Sequence, residues 1–335
     1  MEFFDNHKTL FRASFLFFLT LSLFVAILPA LTNQRNNAPL PGSTPLSADA
    51  EEGKKIFIAN GCVACHTQQV RNIEMDKSFG SRPSISGDYA RDHRISVWQN
   101  TATLMGSERT GPELINIGNR QPSEAWHLTH LFNPRIVVKE SIMPAYPWLF
   151  EIKDSAEKGD AVVSVPDNFL DGQSGKVVAT KEGRQLVAYL LSLKQVSLPD
   201  GRPSPIFLYP QKNPAATNAT NAANTKELDG SALYATYCQS CHQPNGEGLK
   251  GAFPSLKGSS IVNDANPETH LSIILNGYEG RVKEGYPPMP AVGTINNLSP
   301  AEISAIMNYE RTSWGNAGKT TDASAIEKLT TTIKK

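Results

Sequence analysis

The 335 residues contain four cysteines, all within two short strings: Cys62-Val63-Ala64-Cys65-His66 and Cys238-Gln239-Ser240-Cys241-His242. Two thiols at this spacing can meet the two vinyl groups of one porphyrin, and the histidine that follows can reach its iron. The chemistry is therefore covalent attachment of c-type haem, twice over. Cys62 and Cys65 would hold one macrocycle and Cys238 and Cys241 the other, with His66 and His242 as proximal ligands. No cysteine is left for a disulfide. A zinc site built from two C-x-x-C knuckles needs no histidine directly after the second cysteine, so the motif favours haem over zinc or a redox dithiol.

Each iron then needs a ligand on its far face. A thioether raises the potential and suits an electron carrier. Met143 lies in Ser141-Ile142-Met143-Pro144-Ala145-Tyr146-Pro147 and Met289 in Tyr286-Pro287-Pro288-Met289-Pro290-Ala291. Both read Met-Pro-Ala on proline-pinned loops, a poor setting for core filler, and both are expected as distal ligands. Met105 is the main substitute in the first half, Met75 a weaker one, and Met307 reads as helix core. Pro112 and Pro254 follow the two motifs at comparable places. Their resemblance to the proline that class I cytochromes c carry at such a place implies that each would offer its carbonyl to the proximal imidazole N–H, the alternative being an ordinary turn proline. Arg71, Arg109 and Arg135 are fixed-charge donors suited to haem propionates unless they are simply solvated. His127 and His130 have no nearby carboxylate pair to complete a metal site and are expected at an interface or the surface. His270 could replace Met289, but its helical setting argues against it, and His93 has no local pattern.

These residues need elements to hold them. Ser47 can cap a helix running to about Asn60 that delivers Cys62, with Asp49, Glu51 and Glu52 in its first turn. A second amphipathic helix is expected near Lys181 to Lys194, and Gly53 offers a place where it could cross the first closely, against Tyr189. In the second half, Asp229 is a plausible cap for the helix leading into Cys238. Ser299-Pro300-Ala301-Glu302 reads as a capping box that opens a last helix, with Ile303, Ile306 and Met307 inward and Trp314 closing the unit.

At the N-terminus, Ala13 to Leu31 is uncharged over nineteen residues, enough for about 28 Å of helix, close to a bilayer's hydrocarbon thickness. A cleavable signal peptide is the competing reading. The run exceeds a usual signal core and no A-x-A site follows, so a retained anchor is expected. Lys8 and Arg12 precede the span, which places the N-terminus in the cytoplasm and the rest outside the inner membrane, facing the periplasm. The expected class is all-α: a single transmembrane helix followed by two class I-like cytochrome c domains. The boundaries are 1–31 anchor, 32–46 linker, 47–195 first domain, 196–227 Pro/Asn/Ala-rich linker, 228–315 second domain and 316–335 disordered tail. With 32 basic and 32 acidic residues, the chain lacks the basic excess of a nucleic-acid binder.

The strings CVACHTQQVR (62–71), GSERTGPELINIG (106–118) and EAWHLTHLFNPRIVVKESIMPAYPWL (124–149) closely resemble the membrane-anchored monohaem cytochrome subunit, subunit II, of cbb3-type haem-copper oxidases. The resemblance covers roughly Met1 to Gln195, with Cys62, Cys65, His66 and Met143 at the family's haem-binding positions. The stretch from Tyr89 to Met105 departs from it, being longer and carrying Met105 where tryptophan is expected. The second domain resembles single-haem modules of the dihaem subunit III and of dehydrogenase cytochrome subunits. The resemblance implies a fusion that carries electrons from a soluble cytochrome c or copper protein, through the C-terminal haem and then the N-terminal one, to the oxygen-reducing catalytic subunit. The chain would be a non-catalytic subunit working with the other oxidase subunits. The alternatives are the cytochrome subunit of a nitric oxide reductase or periplasmic dehydrogenase, or a dihaem peroxidase, which would need an open iron position that two methionine ligands deny.

Overall fold

The computed structural model describes residues 5–36, 45–76, 78–89, 103–198, 228–284, 286–296 and 298–333. The expectations for His93, for part of the Tyr89 to Met105 stretch and for most of the 196–227 linker fall outside them.

The apolar N-terminal stretch is helical, and its 27 residues His7–Asn33 are long and apolar enough to cross a membrane. It comprises α1 (His7–Leu21), a π-helical turn (Ser22–Ile27) and α2 (Leu28–Asn36). The widened turn has a local cause. Pro29 lacks an N–H and its ring crowds the carbonyl four residues back, so the helix opens just before it. The spacer expected from Thr32 begins later, because residues up to Asn36 stay helical and the Thr32 hydroxyl donates to the Leu28 carbonyl at 3.0 Å.

The first haem-motif unit is organised by two crossing helices. Helix α3 (Ala48–Ala59) is capped by Ser47, whose hydroxyl accepts from the Ala50 N–H at 3.2 Å. Helix α4 (Glu124–Phe132) follows, then strands β1 (Phe150–Lys153), β2 (Val162–Val163) and β3 (Lys176–Ala179), and finally α5 (Lys181–Ser192). A Cβ on Gly53 would collide with the Gln185 carbonyl and stand 2.8 Å from the Tyr189 Cβ. Only glycine therefore lets α3 and α5 cross so closely. Tyr189 packs edge-on against Phe57 at 5.4 Å, within a buried core that includes Leu128, Leu131, Leu149 and Leu186.

The molecule is predominantly helical, the class expected from the sequence, with one addition. The three strands form an antiparallel sheet in the order β1-β3-β2, pairing Phe150 with Ala179 and Val163 with Val177. Its β-branched valines favour extended backbone once one face is buried.

The second unit begins at α6 (Gly230–Tyr237), capped by Asp229, and continues through α7 (Glu268–Asn276) to α8 (Pro300–Thr312). A reciprocal capping box opens α8, with the Ser299 hydroxyl on the Glu302 N–H and the Glu302 carboxylate on the Ser299 N–H. Tyr234, Tyr309 and Trp314 pack together where α6 meets α8. The tail expected to be disordered is instead folded. Helix α9 (Ala323–Ile333) starts where Asp322 accepts from the Ala325 N–H at 2.8 Å. Its fully buried Ile326, with Leu329 and Ile333, packs on Leu271, Ile303 and Met307. The physical reason is a narrow apolar stripe at helical spacing inside an otherwise polar segment.

The two units share a seam. Ile136 and Val137 of the first form a buried cluster with Ala252 and Phe253 of the second, flanked by Trp126, Phe132, Val165 and Cys241.

Candidate functional site

The first motif turns directly out of α3. Gly61 adopts a left-handed φ of 70° and the chain winds through a 3-10 turn, with the Cys65 and His66 N–H groups both on the Cys62 carbonyl at 3.2 and 3.0 Å. His66 Nδ1 donates to the Pro112 carbonyl at 2.7 Å. This fixes the tautomer and leaves Nε2 as the ring nitrogen available to iron. Gly111 is required beside it, because a Cβ there would overlap the imidazole and lie 2.7 Å from Nδ1. Cys62 is buried, and that burial pushes its thiol up to about 11, against an opposing hydrogen bond with Tyr146.

Met143 is partly buried against the core that contains Cys62 and Tyr146. Its loop is pinned from both sides: the Met143 N–H donates to the Ser141 hydroxyl at 3.3 Å, and Arg135 Nη2 donates to the Met143 carbonyl at 3.0 Å. Arg135 thus holds the methionine loop. Arg71 and Arg109, the other two arginines expected at haem propionates, pair with protein carboxylates. Arg71 Nε lies 3.0 Å from Asp76, and Arg109 closes on both Asp76 and Glu113. Asp76 and Glu113 are buried carboxylates that must be neutralised, and these two guanidiniums neutralise them. Met105 and Met75 are exposed and Met307 is buried core.

In the second unit, the motif forms a helical turn Gln239–His242 at the end of α6. The buried His242 donates from Nδ1 to the Pro254 carbonyl at 2.9 Å, repeating the first arrangement. His242 and Met289 line one cleft, together with Cys238, Cys241 and Phe253, and it encloses about 1290 Å³ of empty space including its open mouth. Met289 is fixed by paired backbone hydrogen bonds with Tyr278 at 2.9 and 3.0 Å. His270 also lines this cleft, but its Nε2 is taken by the buried Glu310 at 2.7 Å. That pairing removes it as a rival ligand through this nitrogen. Glu310 was not anticipated, although its spacing from Ile303, Ile306 and Met307 on the inward face of α8 could have flagged it.

His127 and His130 are not surface groups. His127 is buried with Nε2 on the Gln121 carbonyl at 2.8 Å, and burial depresses it to about 4. His130 stacks on Trp126 at 4.6 Å, and burial, with His127 and His66 nearby, depresses it to about 3. Trp126 in turn donates from Nε1 to the carbonyl of Ser240, inside the second motif, at 2.9 Å. Gln121 Nε2 donates to the Ser240 hydroxyl at 2.7 Å. These contacts join residues more than 110 positions apart, and no local sequence signal announces them.

The arrangement fits c-type haem. Each imidazole presents one nitrogen with the other anchored, and all four thiols are free of disulfides. His242 and Met289 line the same cleft, so an imidazole nitrogen and a thioether sulfur are both available along its wall. Among the described residues, no group of three or more histidine, cysteine, aspartate or glutamate side chains gathers as a zinc site requires.

Comparison with known proteins agrees. A family model described as cytochrome c oxidase, mono-heme subunit/FixO, matches residues 1–193, and a cytochrome c model matches residues 228–314. The fructose dehydrogenase cytochrome subunit of Gluconobacter japonicus is 35% identical over 133 residues, covering 38% of this chain and 26% of that protein. The cytochrome c subunit of the quinone alcohol dehydrogenase of Gluconacetobacter polyoxogenes is 31% identical over 146 residues, 43% of this chain and 30% of that protein. Cytochrome c-552 of Thermus thermophilus is 33% identical over 97 residues, 28% of this chain and 73% of that protein. The chain thus spans under a third of the two dehydrogenase subunits.

Proposed function

The chain belongs to the FixO family of mono-haem cytochrome c oxidase subunits over residues 1–193, and from that premise we propose that it is a dihaem electron-entry subunit of a cbb3-type haem-copper terminal oxidase. A c-type haem supplies a one-electron ferric–ferrous couple whose potential its axial ligands set. The residues proposed to hold the two haems are Cys62, Cys65, His66 and Met143, and Cys238, Cys241, His242 and Met289. Pro112 and Pro254 orient the imidazoles by accepting from Nδ1, and Arg135 steadies the Met143 loop. The N-terminal apolar helix anchors the chain in the inner membrane, with both cytochrome units in the periplasm. There a soluble cytochrome c or copper protein delivers electrons to the second unit, the first unit receives them from it, and the oxidase catalytic subunit receives them last.

The observation that carries this reading is the joining of an oxidase-subunit unit to a cytochrome c unit whose own motif, at Ser240, abuts the first unit. The similarity to dehydrogenase cytochrome subunits favours a second reading, in which the chain takes electrons from a periplasmic sugar or alcohol dehydrogenase. Purification of the native membrane complex through this chain separates the two. Copper and b-type haem in a companion subunit support the oxidase; a companion that oxidises sugars or alcohols overturns it.

A further inference from the structure

The second motif sits on a single helical turn, Gln239–His242. In a continuing helix the Ser240 carbonyl would accept from the residue four places on, but that residue is Pro244, which has no N–H. The first unit supplies the missing donor: the Trp126 indole N–H reaches the Ser240 carbonyl at 2.9 Å. Gln121, five residues before it, donates from Nε2 to the Ser240 hydroxyl at 2.7 Å and holds its amide oxygen 4.0 Å from the Cys241 sulfur. Two polar side chains of the first unit are thus spent on the motif of the second.

The rest of the seam is apolar and closely fitted. Ile136 and Val137 are buried together with Ala252 and Phe253, and parting the units would return all four to water. Gly251 carries a left-handed φ of 79°, and a Cβ there would stand 2.9 Å from the Ser164 hydroxyl of the first unit. Linked units move freely when their contact is small and polar; a buried apolar patch with satisfied hydrogen bonds opposes such motion. The seam also reaches a binding site. Arg120 to Ser123, the segment leading into α4, lines the cleft that holds His242 and Met289. That part of the cleft wall exists only while the units are in contact.

We propose that the two units work as one docked body, and that Gln121 to Ser123 of the first unit close the wall of the second unit's binding cleft. The second unit is then a fixed neighbour of the first and not a carrier that swings on the 196–227 linker. Its cleft is a composite site, complete only with the first unit in place. The wall rests on the reading of that cleft as the place of the second haem; the docking does not. Trp126 and Gln121 are positioning residues, acting through the Ser240 carbonyl and hydroxyl on the turn between the two thiols.

The test uses the full chain in detergent with haem attached, unaltered or carrying one of two changes. Val137→Asp sets a charge in the apolar part of the seam, and Ser164→Arg drives bulk against Gly251 without touching the core of the first unit. Amide hydrogen exchange reads the seam, and redox titration reads the group held at Cys238 and Cys241. Docking predicts slow exchange at 249–254 in the unaltered chain, faster by about tenfold or more in both variants, while α5 and α8 keep their rates. If Val137→Asp also speeds α5, it has unfolded the first unit, and Ser164→Arg alone decides. The wall predicts that the opened cleft, admitting water, lowers the potential of the second haem and leaves that of the first unchanged. Exchange at 249–254 as fast in the unaltered chain as in Ser164→Arg overturns the docking. An opened seam with an unchanged second potential overturns the wall. A haemochrome assay that finds one haem in the unaltered chain removes the reading of the cleft, and the wall with it, while the exchange rates still decide the docking.

Discussion

Each histidine proposed as a proximal ligand is oriented by a backbone carbonyl. His66 and His242 both donate from Nδ1 to a proline oxygen, which orients the ring and makes Nε2 a better electron donor to iron. The methionines proposed as far ligands sit on loops held still by hydrogen bonds, at Met143 from Arg135 and at Met289 from Tyr278. Met143→Ala should leave both haems attached and lower the potential of the first, as read by redox titration of the purified chain; an unchanged potential would remove Met143 from the ligand set. The charged residues tell a different story. Burial pushes the Asp76 carboxyl up, but hydrogen bonds from Arg71 and Arg109 outweigh it and hold the group at about 2, below its ordinary 3.8. A carboxyl depressed in the folded state stabilises above its unfolded value, and the stability is lost as pH falls from 3.8 through about 2. Denaturant unfolding across that window should show this loss in the unaltered chain and a flatter response in Asp76→Asn. At neutral pH the variant should be weaker by about 3 kcal/mol, the scale of breaking a buried ion pair. The partners of Arg71 and Arg109 were not legible in the sequence. The fold brings Arg109 to Asp76 from 33 positions away, and a guanidinium reads the same whether its acceptor is a protein carboxylate or a propionate.

Helices whose signals are local were legible almost to the residue. Ser47, Asp229 and Ser299 cap where their side chains say they should, with acids in the first turn after Ser47 and Ser299, and Gly53 marked the α3–α5 crossing because only a missing Cβ permits it. Elements defined by a few residues were not. Strand β2 is two residues long, too short for any periodicity, and it exists because β3 offers it an edge. Helix α9 hid for another reason: Ile326, Leu329 and Ile333 are three apolar residues among threonines and charges, and composition outweighed their spacing. Packing corrects that reading, and the correction is testable. Ile326 is fully buried against α7 and α8, so Ile326→Ala should cost the second unit about 3 kcal/mol, measured by denaturant unfolding followed at its haem absorbance. A loss near zero would mean that α9 contributes nothing to the fold.

At the scale of the whole molecule, one polypeptide carries an oxidase-subunit unit, a cytochrome c unit and an apolar helix that suits a bilayer. The seam that joins the two units lay beyond sequence reasoning, because Trp126 and Ser240 are neighbours only after both units have folded. If electrons enter at the second unit, Cys238→Ser/Cys241→Ser should slow reduction of the remaining haem by an external donor cytochrome in stopped-flow mixing. Donor kinetics that stay the same would place the entry point on the first unit. All of this depends on two covalently held irons, each between an imidazole and a thioether. A pyridine haemochrome assay on the purified full-length chain, joined to near-infrared spectroscopy of the ferric state, tests it most directly. The account predicts two c-type haems per chain, both with the charge-transfer band of a methionine ligand; fewer than two haems, or no thioether signature at either iron, would contradict it.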